Sequence, residues 1–339
     1  MLCAMTRPVP PQVKPSPMRA AGSQRSPLAA LTLVALACAS CNSGTAGELP
    51  PIDLQFNEQR AWTDLERQVG FGPRPAGSDA IEQTRLYLEE ELRAAGLEPK
   101  RQAFVADTPA GKIPFCNVYA DFEGKPFRDK RAHMVIIASH YDTKRLQQPF
   151  LGANDGGSST ACVLELARAI VAGGPRDLSY RFLFLDGEEA VRFEWSGNDN
   201  TYGSRYHADK LKLTEEYDLI KALVLLDMIG DKHLRIWRDT NSSRELLQIF
   251  QASAKERGLA KYMSGPSLAV KDDHLPFMRA GIPSIDLIDL DYGPDSKNND
   301  WWHTVEDTID KCSSKSLKIT GDIVLGALPR LENKYRRQR

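Results

Sequence analysis

The 339-residue chain has no excess of charge of either sign: 44 Lys and Arg stand against 45 Asp and Glu, a formal net charge of -1. Nothing in that balance points to nucleic acid. The basic end, Lys334 to Arg339, is short enough to read as a solvated, frayed terminus. Cysteine is also scarce. Of six, three fall before residue 42, and the rest (Cys116, Cys162, Cys312) are odd in number and widely spaced. That excludes a disulfide framework and leaves room for one bridge that the sequence cannot name. Cys116 in a strand pattern and Cys162 in a helical pattern read as small core residues. There is no internal repeat, and no linker that would split residues 52–335. The length suits one large α/β domain or two small ones.

A membrane-spanning run is missing too, and what stands in its place is informative. Leu28 to Cys38 is apolar, preceded by Arg19 and Arg25, and too short to cross a bilayer as a stable helix. It has the length and flanks of a secretory signal. The following Ala39-Ser40-Cys41 resembles a bacterial lipoprotein signal, with Cys41 the lipidated residue and Cys38 a weaker candidate; an ordinary cleaved signal is the alternative. The stretch before it is long for such a leader, and Met18 is an alternative start. The expectation is a leader over 1–41, a flexible linker over 42–54, a single catalytic domain over 55–332, a basic tail over 333–339, and an exported monomer.

Periodicity sets out the rest. Helices are expected at Asn57–Val69, Ala80–Ala95 (capped by Ser78, stopped by Gly96), Ser158–Ala172, Ser243–Arg257, Leu275–Ala280 and Ser314–Leu331. Strands are expected at Lys100–Ala106, Phe115–Phe122, Met134–Ser139, Arg181–Leu185, Ala222–Asp227, Leu234–Trp237 and Ser284–Ile288. Strands alternating with helices predict a mixed sheet with helices on both faces.

Polar strings of metal-ligand type gather where buried strands end. Val-Ile-Ile-Ala runs into His140-Tyr-Asp142, Phe-Leu-Phe-Leu into Asp186-Gly-Glu188-Glu189, and Ala-Leu-Val-Leu-Leu into Asp227-Met228. Asn154-Asp155-Gly-Gly157 and Trp302-His303-Thr304 complete the set. The carboxyl ends of buried strands are where an open α/β sheet collects ligands. Each string has a plain structural explanation. Asn-Asp-Gly-Gly is good turn chemistry, Glu-Glu can close an acidic turn, and His140 can be a strand-end histidine bonded to Asp142. His303 beside Trp301 and Trp302 can be a packed aromatic corner. All of them holding together is the weaker account, because zinc takes imidazole and carboxylate in such sets.

In this order the strings resemble the co-catalytic zinc aminopeptidases and their relatives, the glutaminyl cyclases, over about residues 55–332. The resemblance implies a three-layer α/β/α sandwich around a mixed, mostly parallel sheet. It implies Asp155, Glu189 and His303 as zinc ligands, His140 and Asp227 as candidates for a second metal with Asp155 bridging, and Glu188 as general base. Three features lean to the cyclases: Trp195 on a loop after the glutamates, Asp272 in Asp-Asp-His-Leu-Pro-Phe277, and Trp302 directly before His303. Core packing is the plain reading of both tryptophans. Two departures stand out. Asp286 lies where some animal-type cyclases carry histidine, and Trp195 sits one residue further from the glutamates than in the animal pattern.

On this resemblance a peptide with N-terminal Gln is the expected substrate, and pyroglutamate and ammonia are the products. One zinc is expected to polarise the γ-amide carbonyl. Glu188 is expected to carry the proton from the attacking amine to the leaving group. Asp227 and Asp272 share a proton and orient the amine, and Trp195 and Trp302 keep the pocket apolar. The alternative is an aminopeptidase with two zincs, in which Glu188 activates water. A third reading, an inactive binding module on the same fold, is opposed by the completeness of the ligand and base set.

Overall fold

A computed structural model describes residues 54–336 apart from 129, 193, 296 and 297. The leader with Cys38 and Cys41, the linker up to residue 53, and residues 337–339 lie outside the described residues.

Two helices open the fold, α1 (Glu58–Gly70) and α2 (Asp79–Ala94). Each starts where a side chain takes over the orphan N–H groups of its first turn: Asn57 accepts from Gln59 and Arg60, and Ser78 from Ile81. A hairpin follows, β1 (Pro99–Thr108) and β2 (Gly111–Phe122), then β3 (Met134–His140), α3 (Ser159–Ala172) and β4 (Ser179–Leu185). The rest of the chain adds α4 (Tyr202–Leu211), β5 (Ile220–Asp227), a two-residue β6 (Arg238–Asp239) and α5 (Arg244–Glu256). It closes with a two-residue β7 (Ser267–Leu268), α6 (His274–Arg279), β8 (Ser284–Ile288) and α7 (Ser314–Tyr335).

Six strands form one sheet in the order β1-β2-β4-β3-β5-β8. β1, β2 and β4 pair antiparallel, whereas β4, β3, β5 and β8 run parallel. Period-two alternation divides each strand between two cores. Val135, Ile137, Phe182, Phe184, Val224 and Leu226 pack under α1, α2, α3, α5 and α7. Ile136, Ala138, Leu183, Leu185, Leu223 and Leu225 pack against residues of α4 and α6 on the other face. This is the three-layer α/β/α sandwich with a mixed, mostly parallel sheet. Both faces of β3 and β4 are covered, so every residue of these mostly apolar strands is buried.

Three local expectations need correction. Leu234–Trp237 forms no regular strand. Its N–H groups divide between two segments, Ile236 donating to Tyr262 and Trp237 to Ile288, so no single ladder builds until β6. The closing helix continues past Leu331 to Tyr335, through Pro329, so the tail starting at 333 is helical at first. Its end is tied down, with Lys334 paired to Glu245 and the Tyr335 carbonyl bonded to His133 Nδ1 at 2.6 Å. Helix α4 has no counterpart among the expected elements. Cys116, Cys162 and Cys312 are all free and buried, so none of the three forms a disulfide. Among the described residues no helix is long and apolar enough to cross a membrane.

Candidate metal centre and acid-base site

The carboxyl ends of β3, β4 and β5 deliver His140, the Asp186–Glu189 turn and Asp227 to one edge of the sheet. Asp155 arrives on the turn between β3 and α3. Gly156 follows it at φ +82°, and a Cβ there would stand 2.6 Å from the Asp142 carbonyl oxygen, so only glycine lets the turn close. Gly187 does the same in the glutamate turn, at φ +74° with the Phe115 ring against the place of a Cβ. Thr201, Met228 and His303 are also left-handed (φ +46°, +48° and +55°), conformations that non-glycine residues adopt at a cost and that gather at functional sites.

Two ligand triads share Asp155. In one, His303 Nε2 lies 3.0 Å from Glu189 Oε1 and 3.4 Å from Asp155 Oδ2. In the other, His140 Nε2 lies 3.1 Å from Asp227 Oδ1 and 3.3 Å from Asp155 Oδ1. Zinc–ligand bonds of about 2.0–2.1 Å put neighbouring ligands of a tetrahedron roughly 3.3 Å apart. All four separations match that edge, and each triad combines imidazole with carboxylate, so both fit a divalent ion. Asp155 Oδ2 and Glu189 Oε2 are buried without a hydrogen-bond partner, which leaves their lone pairs available to a cation. The triads differ in access. His303 keeps 11 % of its side chain exposed, whereas His140 keeps 1 %.

The ligand turns are gripped from behind by acids. Asp142 accepts the N–H groups of Glu188 at 3.1 Å and Glu189 at 3.3 Å. Asp307 accepts those of Asn154 at 2.7 Å and Asp155 at 3.1 Å, and is itself bonded by the Tyr292 hydroxyl at 2.7 Å. Asp186 takes no part in either triad; it is buried against Arg85 at 2.6 Å and receives the Cys116 N–H. Arg74, wholly buried, donates to the carbonyls of Leu151 at 2.8 Å and Gly152 at 3.0 Å, just before Asp155. Buried Lys144 sets its ammonium 3.4 Å from Glu189 Oε2. Of these, sequence reasoning had named Asp142, as a partner of His140, and Asp186, in the string that carries the glutamates. Asp307, Arg74 and Lys144 were missed because their partners are distant backbone groups or buried carboxylates.

Electrostatics splits the carboxyls. Burial alone would raise Asp155, but hydrogen bonds from His140 and His303 hold it below the ordinary range. Glu188 belongs to neither triad. Burial pushes it well up, and the nearby Glu189, Asp272 and Asp273 charges add to the rise. Asp272 is raised well above its ordinary value by burial and then by Asp227 and Asp273. Asp286 is raised by burial and then by Asp272 and Asp227. It stands 3.8 Å from His274 Nδ1, and Asp239 stands 3.1 Å from His274 Nε2, so an imidazole is still supplied here, from α6. Trp302 stacks on the His303 ring (centroids 3.7 Å apart, 23° between planes) with 42 % of its surface exposed. Phe150 meets the same ring edge-on at 5.8 Å. Trp195 is half-buried on the loop that leaves the glutamates.

Residues 117–328 match the model of peptidase family M28. A glutaminyl-peptide cyclotransferase-like protein of Mus musculus is 30% identical over 285 residues, 75% of this chain and 70% of that protein. The chain belongs to family M28 and, within it, to the glutaminyl cyclases. The crystal structure of an Acidobacteriales bacterium glutaminyl cyclase superposes with a TM-score of 0.77 at 36% identity, over 87% of this chain and 99% of that one. A Porphyromonas gingivalis glutaminyl cyclase superposes at 0.71 with 27% identity, over 82% and 99%.

Proposed function

We propose that this glutaminyl cyclase family member is a zinc-dependent glutaminyl-peptide cyclotransferase that converts N-terminal Gln of peptides or proteins to pyroglutamate. The observation that carries the reading is the stack of Trp302 on His303, an apolar surface laid directly over a ligand of the more open triad. A hydrolase must admit water to its metal; a cyclase gains from keeping it out.

The Asp155, Glu189 and His303 triad would hold the zinc, since a catalytic ion needs an open position and this triad has one. Bound there, zinc supplies Lewis acidity to the γ-amide carbonyl. The remaining chemistry falls to side chains. The α-amine forms the ring C–N bond as the γ-amide C–N bond breaks. The proton leaving the amine goes to a Glu188 carboxylate oxygen and from there to the departing nitrogen, which leaves as ammonia. A carboxyl raised by burial is suited to this exchange, because its proton affinity is closer to that of its partners. Asp227 and Asp272, the first of which is among the charges that raise the second, would orient the amine. Trp195 and Trp302 would wall the ring.

The test is mass spectrometry of Gln-peptides incubated with zinc-loaded protein, where the expected change is loss of one ammonia per Gln N-terminus. The second triad, His140, Asp155 and Asp227, favours one competing reading, a two-zinc aminopeptidase. Release of N-terminal residues from Leu-peptides, two zincs per chain and no ammonia from Gln-peptides would establish it. The leader supports a further proposal of export with lipid attachment at Cys41; labelling with a radioactive fatty acid that survives Cys41→Ala would refute the attachment.

A further inference from the structure

The loop from Ala190 to Asn200, which carries Trp195, leaves the sheet at the glutamates and returns to the same turn. The Thr201 N–H donates to the Glu188 carbonyl at 2.8 Å, and the Tyr202 N–H to the Gly187 carbonyl at 2.7 Å. Between these anchors the loop is open to solvent: Arg192, Glu194 and Ser196–Asn198 are exposed. Near the returning end that changes. Asp199 is only 6 % exposed. Its Oδ1 accepts the Val191 N–H at 3.0 Å and the Tyr202 hydroxyl at 2.7 Å, and its Oδ2 accepts the Arg192 N–H at 2.9 Å. Arg205 closes the same end, donating to the carbonyls of Asn198 and Asn200 at 2.7 and 2.8 Å. Tyr202 is in turn fixed by stacking on Phe115 at 4.8 Å.

We propose that Asp199 is the latch of this loop, a positioning residue that joins its outgoing and returning strands and so sets where Trp195 stands. Two of its bonds, from Val191 and Arg192, cross the loop just inside the backbone anchors, the third ties it to Tyr202, and the segment carrying Trp195 lies beyond them. A buried carboxylate with both oxygens occupied by backbone N–H groups has no surface role to explain it. Because the anchors are the carbonyls of Gly187 and Glu188, the latch ties the substrate wall to the turn that holds the proposed base. The part assigned to Trp195 rests on the cyclase reading; the latch itself does not.

The experiment uses the full mature chain with Asp199→Ala, and with Tyr202→Phe as a milder variant that removes one of the three bonds and keeps the ring stack. Trypsin cleavage after Arg192 reads the loop directly. It is expected to be about tenfold faster in Asp199→Ala, since cleavage follows the population of the opened loop. Gln-peptide kinetics on the same proteins should show KM raised by about fivefold with kcat within about twofold, because a loosened wall weakens binding more than chemistry. Zinc content should stay at the wild-type level. Unchanged cleavage at Arg192 in both variants overturns the latch. Faster cleavage with unchanged KM overturns the placement of Trp195 in the substrate wall. Wild-type protein that produces no ammonia refutes the cyclase reading, while the cleavage comparison still decides the latch.

Discussion

Removing Asp142 isolates what the acids behind the site contribute. Its carboxylate is 1 % exposed and accepts the N–H groups of Glu188 and Glu189, with His140 Nδ1 3.5 Å away. Asp142→Ala strands two backbone donors that water cannot easily reach, at about 1–3 kcal/mol each, or about 2–6 kcal/mol together. Some of this is offset. Burial raises Asp186 to about 7 against the pull of Arg85, the Asp142 charge adds to the rise, and losing that buried anion relieves Asp186. The net expectation is about 2–4 kcal/mol, a large fraction of the roughly 5–15 kcal/mol that holds a domain folded. Asp142→Asn keeps one acceptor but turns an amide donor toward the other N–H, so it should cost about half as much. Urea unfolding of metal-free wild type, Asp142→Asn and Asp142→Ala measures both, provided the m-values agree. A loss below about 1 kcal/mol for the alanine variant, or equal losses for the two, would refute the reasoning.

Glu188→Gln keeps the shape of the proposed base and removes its proton affinity, so kcat should fall by about 10²–10⁴-fold with zinc retained; full activity would show the base to be elsewhere. On the proposed zinc site, free zinc at a thousand times Kd adds about 4 kcal/mol of stability. A chelator should therefore lower the melting temperature by several degrees in wild type and much less in Asp155→Ala, read by calorimetry. His207 is buried, and burial followed by the Arg181 charge lowers its pKa to about 3. The folded chain thus refuses a proton that the unfolded chain accepts at about 6.5. The stability this neutral form contributes is complete above about pH 6.5 and is lost as pH falls toward 3, by up to about 1.4 kcal/mol per pH unit. His207→Gln should flatten the fall in unfolding free energy between about pH 6 and 4; an unchanged slope would show that His207 does not contribute it.

The strands that build the site were legible because each is an apolar run closed by a charged residue. β8 begins and ends where the residues Ser284–Ile288 predicted, β3 and β5 end on the candidate ligands His140 and Asp227, and β4 ends just before the turn that carries Glu188 and Glu189. Helix α4 was missed for the opposite reason. It starts with Tyr-Gly-Ser and has few strong apolar residues, although Tyr202, His207, Ala208 and Leu211 do recur at helical spacing on its buried side. The acids behind the site left no local trace. Asp142 reaches backbone groups 46 residues away and Asp307 groups 152 residues away, and an acceptor for a distant N–H imposes no pattern on its own neighbourhood. Lys144 is a similar case. A single lysine after His-Tyr-Asp-Thr looks like a solvated charge until the fold buries it against Glu189.

Burial forces a division among the site's carboxyls that bears on the chemistry. Asp142, Asp155, Glu188, Glu189, Asp227, Asp272, Asp273 and Asp286 are all nearly solvent-free, and the cationic groups near them are few and gathered on one side. Asp155 lies between His140 and His303, which hold it anionic, while burial raises Glu189 against the pull of His303 and Lys144; there a divalent cation would be held. Asp272 and Asp286 lie on the other side among further acids, and both hold their protons well above the ordinary carboxyl range, burial being the largest cause. Glu188 is also pushed well up. Burial and the neighbouring acids raise it, while the His140 charge pulls it back. Carboxyls driven apart in proton affinity by their surroundings take different roles. An ionised carboxyl such as Asp155 suits cation binding, and one raised well above the ordinary range, such as Glu188, suits a group that must both accept and return a proton. Glu189 faces His303 and Lys144 and belongs to a ligand triad, whereas Glu188 belongs to none, which supports assigning the transfer to Glu188 although the two are neighbours in sequence and both buried.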